Sequence, residues 1–215
     1  MVFLNMDASS GALQGFYFGG SGEDSAVAVV VDVDNWIYSL GHGYSVEYTS
    51  GTIDCLLVRY SSTGVMDYLM SFGGKNPDFA TDLKIRDASI IIMGQSQSNE
   101  LSQGFLDIFI AAAYKHDPTK TFWSRYIGTP SFSEYAYTLD VSKEGNIFGM
   151  GSISATGFSN GNLDLLVFSL DMAGNTRFVE NIGSTMAENP GGLVYSEKSE
   201  KLAVFGTTNQ IGFSN

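Results

Sequence analysis

Ala26-Val27-Ala28-Val29-Val30-Val31, then Asp32-Val33-Asp34-Asn35, then Trp36-Ile37-Tyr38-Ser39-Leu40-Gly41 is an apolar run, a set of turn residues and a second apolar run closed by glycine. Runs rich in β-branched and aromatic residues, bounded by Asp, Asn and Gly, predict short strands. Reading outward, a polar stretch reaches Asp54, and a third run spans Cys55 to Tyr60. The turn Ser61-Ser62-Thr63-Gly64 leads to a fourth run, Val65 to Phe72. Four strands joined by short and long connections in alternation form one unit.

That unit recurs. Glycines following an apolar strand stand at Gly19, Gly73, Gly128 and Gly183, at intervals of 54, 55 and 55 residues. A second set, Gly41, Gly94, Gly151 and Gly206, has intervals of 53, 57 and 55. Gly-x-x-Asp occurs at 51–54, 104–107 and 161–164. Matching strand runs follow: Leu83 with Ile85, Ile90 to Met93, Ile108 to Tyr114 and Thr121 to Ile127 in one copy. In the next they are Tyr137 to Val141, Ile147 to Met150, Leu165 to Leu170 and Thr176 to Glu180. No stretch carries a helical period. Four antiparallel strands at this spacing predict an all-β fold, a β-propeller of four-stranded blades with about four repeats of ~55 residues. A β-solenoid is the alternative, with coils of ~20–30 residues. The first three strands of a blade are expected to be buried between neighbours. The fourth mixes in Asp67, Arg125, Arg177 and Glu180, as an outer edge would.

Several stretches are similar to a known repeat. Phe18-Gly19-Gly20-Ser21-Gly22-Glu23-Asp24-Ser25-Ala26 resembles the LGGSGDDSA hallmark of the SBBP-type β-propeller repeat proteins. Trp123-Ser124-Arg125-Tyr126-Ile127-Gly128, Lys143 to Gly151 and Gly161-Asn162-Leu163-Asp164 resemble the same family. The resemblance runs over essentially the whole chain. It implies propellers used for binding rather than catalysis, often within large secreted or surface proteins. One departure is Arg86-Asp87-Ala88-Ser89, which replaces the usual Gly-Asn turn.

The expected units are 1–20 (a half blade), 21–74, 75–129, 130–184 and 185–215 (a half blade). Gly212-Phe213-Ser214-Asn215 matches Gly157-Phe158-Ser159-Asn160, and Val2 to Asp7 matches the third strand from Val167. The N-terminus thus supplies strands three and four of a blade, and the C-terminus strands one and two. Pairing of the ends would close a four-bladed ring. Otherwise the chain is a segment of a larger propeller, and an incomplete ring would favour self-association.

The totals narrow the functions. With 215 residues the chain holds one large domain or one repeat array, big enough to need no covalent staples. The single cysteine, Cys55, rules out an intrachain disulfide and reads as a small core residue. A net charge of −12 argues against nucleic acid and anionic membrane partners. No apolar run approaches the ~20 residues of a membrane helix. Residues 1–10 show no secretory signal, so a secreted or cell-surface location rests on the resemblance alone.

Candidate functional residues fall into three sets. The long loops 41–54, 94–107 and 151–164 share one face and carry Tyr44, Glu47, Tyr48, Gln95, Gln97, Asn99 and Asn160, a composition suited to recognition. An acid follows each first-set glycine by five or six residues: Asp24, Asp78, Glu134 and Glu188. Radial symmetry would set these in a ring that attracts cations, or each would cap the turn into its own strand. Asp54, Asp107 and Asp164 precede third strands and are expected to fix the loop ends, with calcium as a weak competing use. Asp32-Val33-Asp34-Asn35 lacks the later ligands of a calcium loop.

No residue set names a reaction. His42 and His116 are far apart, and Gly73-Gly74-Lys75-Asn76 is not a phosphate loop. The expectation is a non-catalytic module that binds a protein or carbohydrate on the long-loop face, with no catalytic residue, metal or cofactor. Two alternatives stand: a lyase, hydrolase or cation-binding propeller using the acidic ring, and a structural spacer of a larger surface protein.

Overall fold

The computed structural model describes residues 2–6, 9–10, 13–50, 52–99, 105–154 and 163–208. A hairpin of β1 (Val2–Met6) and β2 (Leu13–Tyr17) comes first. Blade I follows, with β3 (Asp24–Val31), β4 (Ile37–Gly43), β5 (Asp54–Tyr60) and β6 (Met66–Phe72). Blade II holds β7 (Asp78–Arg86), β8 (Ser89–Ser96), β9 (Asp107–Tyr114) and β10 (Asp117–Ile127). Blade III holds β11 (Glu134–Val141), β12 (Ile147–Ile153), β13 (Asp164–Leu170) and β14 (Thr176–Ile182). A last hairpin pairs β15 (Glu188–Ser196) with β16 (Lys201–Thr208). Each blade is a four-stranded antiparallel sheet whose strand order follows the sequence. The two terminal hairpins form separate two-stranded sheets.

The strands alternate faces, and the second and third strands of each blade are apolar on both. Ile90 and Ile92 pack toward blade I with Tyr38, Leu40 and Leu57. Ile91 and Met93 turn the other way, toward Ile147, Leu166 and Phe168 of blade III. Sheets stacked face to face explain why these strands read as unbroken apolar runs rather than alternating ones. The first strands differ from the expectation of full burial. In β3, Val29 and Val31 are 59% and 57% exposed while Ala28 and Val30 pack toward blade II. An innermost strand has one face on its neighbour only where that neighbour covers it.

Both glycine sets have a steric cause. Every first strand is bulged opposite the second-set glycine, at Ala26/Ala28, Ala80/Asp82, Ala136/Thr138 and Pro190/Gly192. The bulge pushes a carbonyl toward the partner strand, so a Cβ at Gly206 would meet the Asn189 oxygen at 2.5 Å, and one at Gly94 or Gly151 the oxygens of Phe79 or Tyr135. Of the first set, Gly73, Gly128 and Gly183 lie over the carboxyls described below. The odd turn of the second repeat closes because Asp87 takes φ 52°, where the following blade has Gly145 at φ 82°.

Candidate functional site

The acids gather at the blade junctions. The connection leaving each fourth strand crosses the start of that blade's third strand before entering the next blade. Its path brings Asp54 beside Asp78, Asp107 beside Glu134, and Asp164 beside Glu188. All six are buried. A Cβ on Gly73 would stand 2.5 Å from Asp54 Oδ1 and 2.7 Å from Asp78 Oδ2, so only glycine lets the connection lie over this pair.

Each acid of the ring set accepts a backbone N–H from its own connection. Gly20 N donates to Asp24 at 2.8 Å, Gly74 N to Asp78 at 2.7 Å, Thr129 N to Glu134 at 3.1 Å and Ser184 N to Glu188 at 2.9 Å. Hydroxyls complete the shells: Ser45 on Asp24, Ser96 and Ser98 on Asp78, Thr129 on Glu134, and Ser184 with Thr208 on Glu188. This is capping geometry: a carboxylate closing the turn ahead of a strand. Asp54 does the same for its loop, accepting from Ser50 N and Ser50 Oγ.

Their protonation differs by surroundings. Burial raises Glu134 to about 7, with the neighbouring Asp107 carboxyl adding to the rise and the Thr129 bonds opposing it. Burial also raises Asp78, with Asp54 contributing. At Glu188 burial is outweighed by the Ser184 and Thr208 bonds, and its value is lowered. Among the described residues no group of three or more His, Cys, Asp or Glu converges on a metal position.

The loop-face candidates are not brought into one cluster. Tyr44 is 52% exposed, and its N–H donates to Glu23 O. Glu47 bends back to accept from Ser21 N and Ser21 Oγ, and Tyr48 packs on Phe18 with ring centroids 5.0 Å apart. Gln95 spans a junction, its Oε1 accepting from Ala136 N. Gln97 O accepts from the Asn76 side chain, and Gln97 and Asn99 lie at the surface. Asn160 lies outside the described residues, as do Gly51, Gly104 and Gly161. Val46 and Phe105, 79% and 73% exposed, also project from these loops. Sequence reading passed over them because a lone apolar loop residue carries no pattern.

The opposite face holds a charged cluster that sequence reading missed. Asp32 receives Lys115 Nζ at 2.8 Å from the next blade, both side chains almost fully buried. It also accepts from Asp34 N and Trp36 N. Arg59 lies 3.7 Å over the Trp36 ring and pairs with Asp67 at 2.8 Å. Lys115 and Asp32 are 83 residues apart, and no local pattern links them.

Two clefts open between the blades, and a further one of about 490 Å³ opens between blade III and the last hairpin, walled by Glu144, Phe148, Arg177 and Tyr195. One, of about 230 Å³, lies between blades I and II and is walled by Leu57, Met70, Phe72, Ile92 and Phe109. The other, of about 380 Å³, lies between blades II and III. Its walls include Tyr126, Glu134, Ile153, Thr176, Val179 and Asn181.

The chain is a β-propeller, and its likeness to solved structures is one of fold. It is similar to an α-L-arabinofuranosidase from Fusarium graminearum in complex with an iminosugar inhibitor, at 12% identity and a TM-score of 0.53. That match covers 79% of this chain and 52% of the other. The E242A mutant of that enzyme matches at 11% identity, a TM-score of 0.52 and the same coverage. An apocarotenoid oxygenase from Synechocystis aligns at 10% identity and a TM-score of 0.44, over 95% of this chain and 55% of the other. The chain thus spans about half the length of these structures. No protein-family profile and no curated protein matches the sequence.

Proposed function

We propose that this chain is a non-catalytic β-propeller module that binds a protein or glycan ligand through its long-loop face. One observation carries the reading: the acids that would have to do chemistry recur at every junction with the same backbone bonds, so they serve the scaffold. A rigid scaffold then presents Tyr44, Val46 and Phe105 to solvent, and loops on a rigid scaffold are where binding residues concentrate. The parent chain, screened on a glycan array and a peptide display library, is expected to retain ligands. Replacing Tyr44, Val46 and Phe105 with Ser is expected to weaken them about tenfold or more without changing the melting temperature. Unchanged affinity overturns the placement.

An enzymatic reading has one observation in its favour. Burial raises Glu134 to about 7, the range of a general acid at neutral pH. Release of nitrophenol from aryl arabinofuranosides, lost in Glu134→Gln, would favour it over the binding module. No release would exclude that substrate class.

A further inference from the structure

A repeat separates scaffold from site. What recurs in every blade serves the fold, and what occurs once needs another reason. The capping acids and bulge glycines recur. The Asn181 amide in the cleft between blades II and III does not. The sister cleft between blades I and II has Leu57, Met70, Phe72 and Phe109 in its walls, with Thr121 and Ser124 as its hydroxyls and no side-chain amide. At the blade III junction Asn181 takes the register position that Ser71 holds in blade I and Tyr126 in blade II, each paired to the second residue after the third-strand aspartate.

The lining selects a ligand class. Ile127, Ile153, Leu166 and Val179 give the cleft an apolar side. Tyr126 and Val179 stand at its rim, 43% and 45% exposed. Thr176 and the Asn181 amide add hydrogen-bonding groups, and Asn181 Oδ1 accepts no hydrogen bond within the protein. A terminal amide turns readily about its last torsion, so this group is able to face the cleft. No Lys or Arg lines the cleft, which leaves an anion without a counter-charge. Among the described residues no three acids or imidazoles converge here, which leaves a metal cation short of ligands. A wholly apolar guest would strand the amide and hydroxyl. A guest with one apolar face and a rim of hydroxyls meets every group. The volume, about 380 Å³, is at the small end of ligand sites and fits one such ring with part of a second.

We propose that the cleft between blades II and III binds a neutral sugar unit, with Tyr126 and Val179 against the ring's apolar face and Asn181 and Thr176 hydrogen-bonded to its hydroxyls. This site rests on the binding-module reading for its purpose but not for its place, because it lies beside the long loops rather than on them. The test is saturation-transfer NMR on the full chain with glucose, galactose, mannose, xylose and arabinose at millimolar concentration. At least one sugar is expected to bind. Asn181→Leu, and separately Tyr126→Ser at the exposed rim, are expected to weaken it about tenfold, the value of one good hydrogen bond or contact. Ser71→Leu, the matching position of blade I, is expected to leave it unchanged. The proposal is overturned if none of the five sugars binds, if both folded cleft variants bind like the parent, or if a blocked dipeptide amide competes for the cleft while the sugars do not. Binding lost in the Tyr44, Val46 and Phe105 variant but kept in the cleft variants also overturns it and leaves the loop-face reading standing. The reverse pattern supports the cleft and removes the loop face.

Discussion

Glu134 illustrates how position within the fold sets a residue's chemistry. Its value rises from the ordinary 4.5 to about 7 through burial, with Asp107 close by. A carboxyl raised in the folded state stabilises the fold while protonated. That contribution is complete below the unfolded value and is lost as pH climbs through the folded one. Stability is therefore expected to fall between about pH 5 and pH 8. Glu134→Gln keeps an oxygen for Thr129 and cannot ionise, so it should flatten the fall and be the more stable form at pH 8 by about 1–3 kcal/mol. Denaturant melts of both proteins across that range check the sign, and parallel curves would mean Glu134 does not titrate there. Asp32, buried against Lys115, is the complementary case, a carboxyl whose value is lowered. The pair and its hydrogen bonds hold Asp32 below the usual carboxylate value despite burial. Lys115→Met leaves a buried carboxylate without its cation, and a loss of about 3–5 kcal/mol is expected. Adding Asp32→Asn should restore part of it. A single-variant loss under about 1 kcal/mol would show that water reaches the site.

Between elements, the junctions are latched by one repeated device. In blade I the Tyr68 hydroxyl donates to Lys115 O of blade II at 3.0 Å. In blade II, Trp123 Nε1 donates to Met172 O of blade III at 2.8 Å. Tyr68 and Trp123 hold the same register, opposite Arg59 and Ala112, and each reaches the turn between the third and fourth strands of the next blade. Tyr68→Phe and Trp123→Phe should each cost about 1 kcal/mol for the lost bond, with additional packing loss at Trp123. The two costs should add, because the latches share no partner. Strong non-additivity in chemical melts would mean that the junctions do not act independently. The strands and both glycine sets were legible in the sequence because local pattern and a fixed period carry them. The latches were not, because a Tyr in one repeat and a Trp in the next conceal a shared role. The Asp32–Lys115 pair leaves no trace along the chain, and neither does the stacking of Arg59 on Trp36. The carboxyl pairs were half legible: the positions were plain, but their meeting across a junction needed the path of the connection.

At the scale of the whole molecule, the least satisfied surface is the innermost strand of blade I. Val29 and Val31 are more than half exposed, and Val33 in the following turn is 93% exposed. At the other end of the array Val194 and Phe205 are 57% and 67% exposed. This exposure was not legible along the chain, because Ala26 to Val31 reads as a strand buried on both faces. Soluble proteins rarely leave such a stripe open unless something covers it. The occupant we expect is a second copy of the chain, because each copy carries both an exposed valine strand and an exposed hairpin face. A surface patch that meets a different patch on the next copy gives head-to-tail contacts, which close into rings or continue as fibres. Sedimentation of the 215-residue chain should therefore show concentration-dependent association. Val29→Lys with Val31→Lys should weaken association by about tenfold or more, because charge at these positions opposes pairing. Thermal stability of the dilute protein should barely change, since neither side chain packs in the core. A parent chain that sediments as a monomer at all concentrations would show that the exposed valines recruit no second copy.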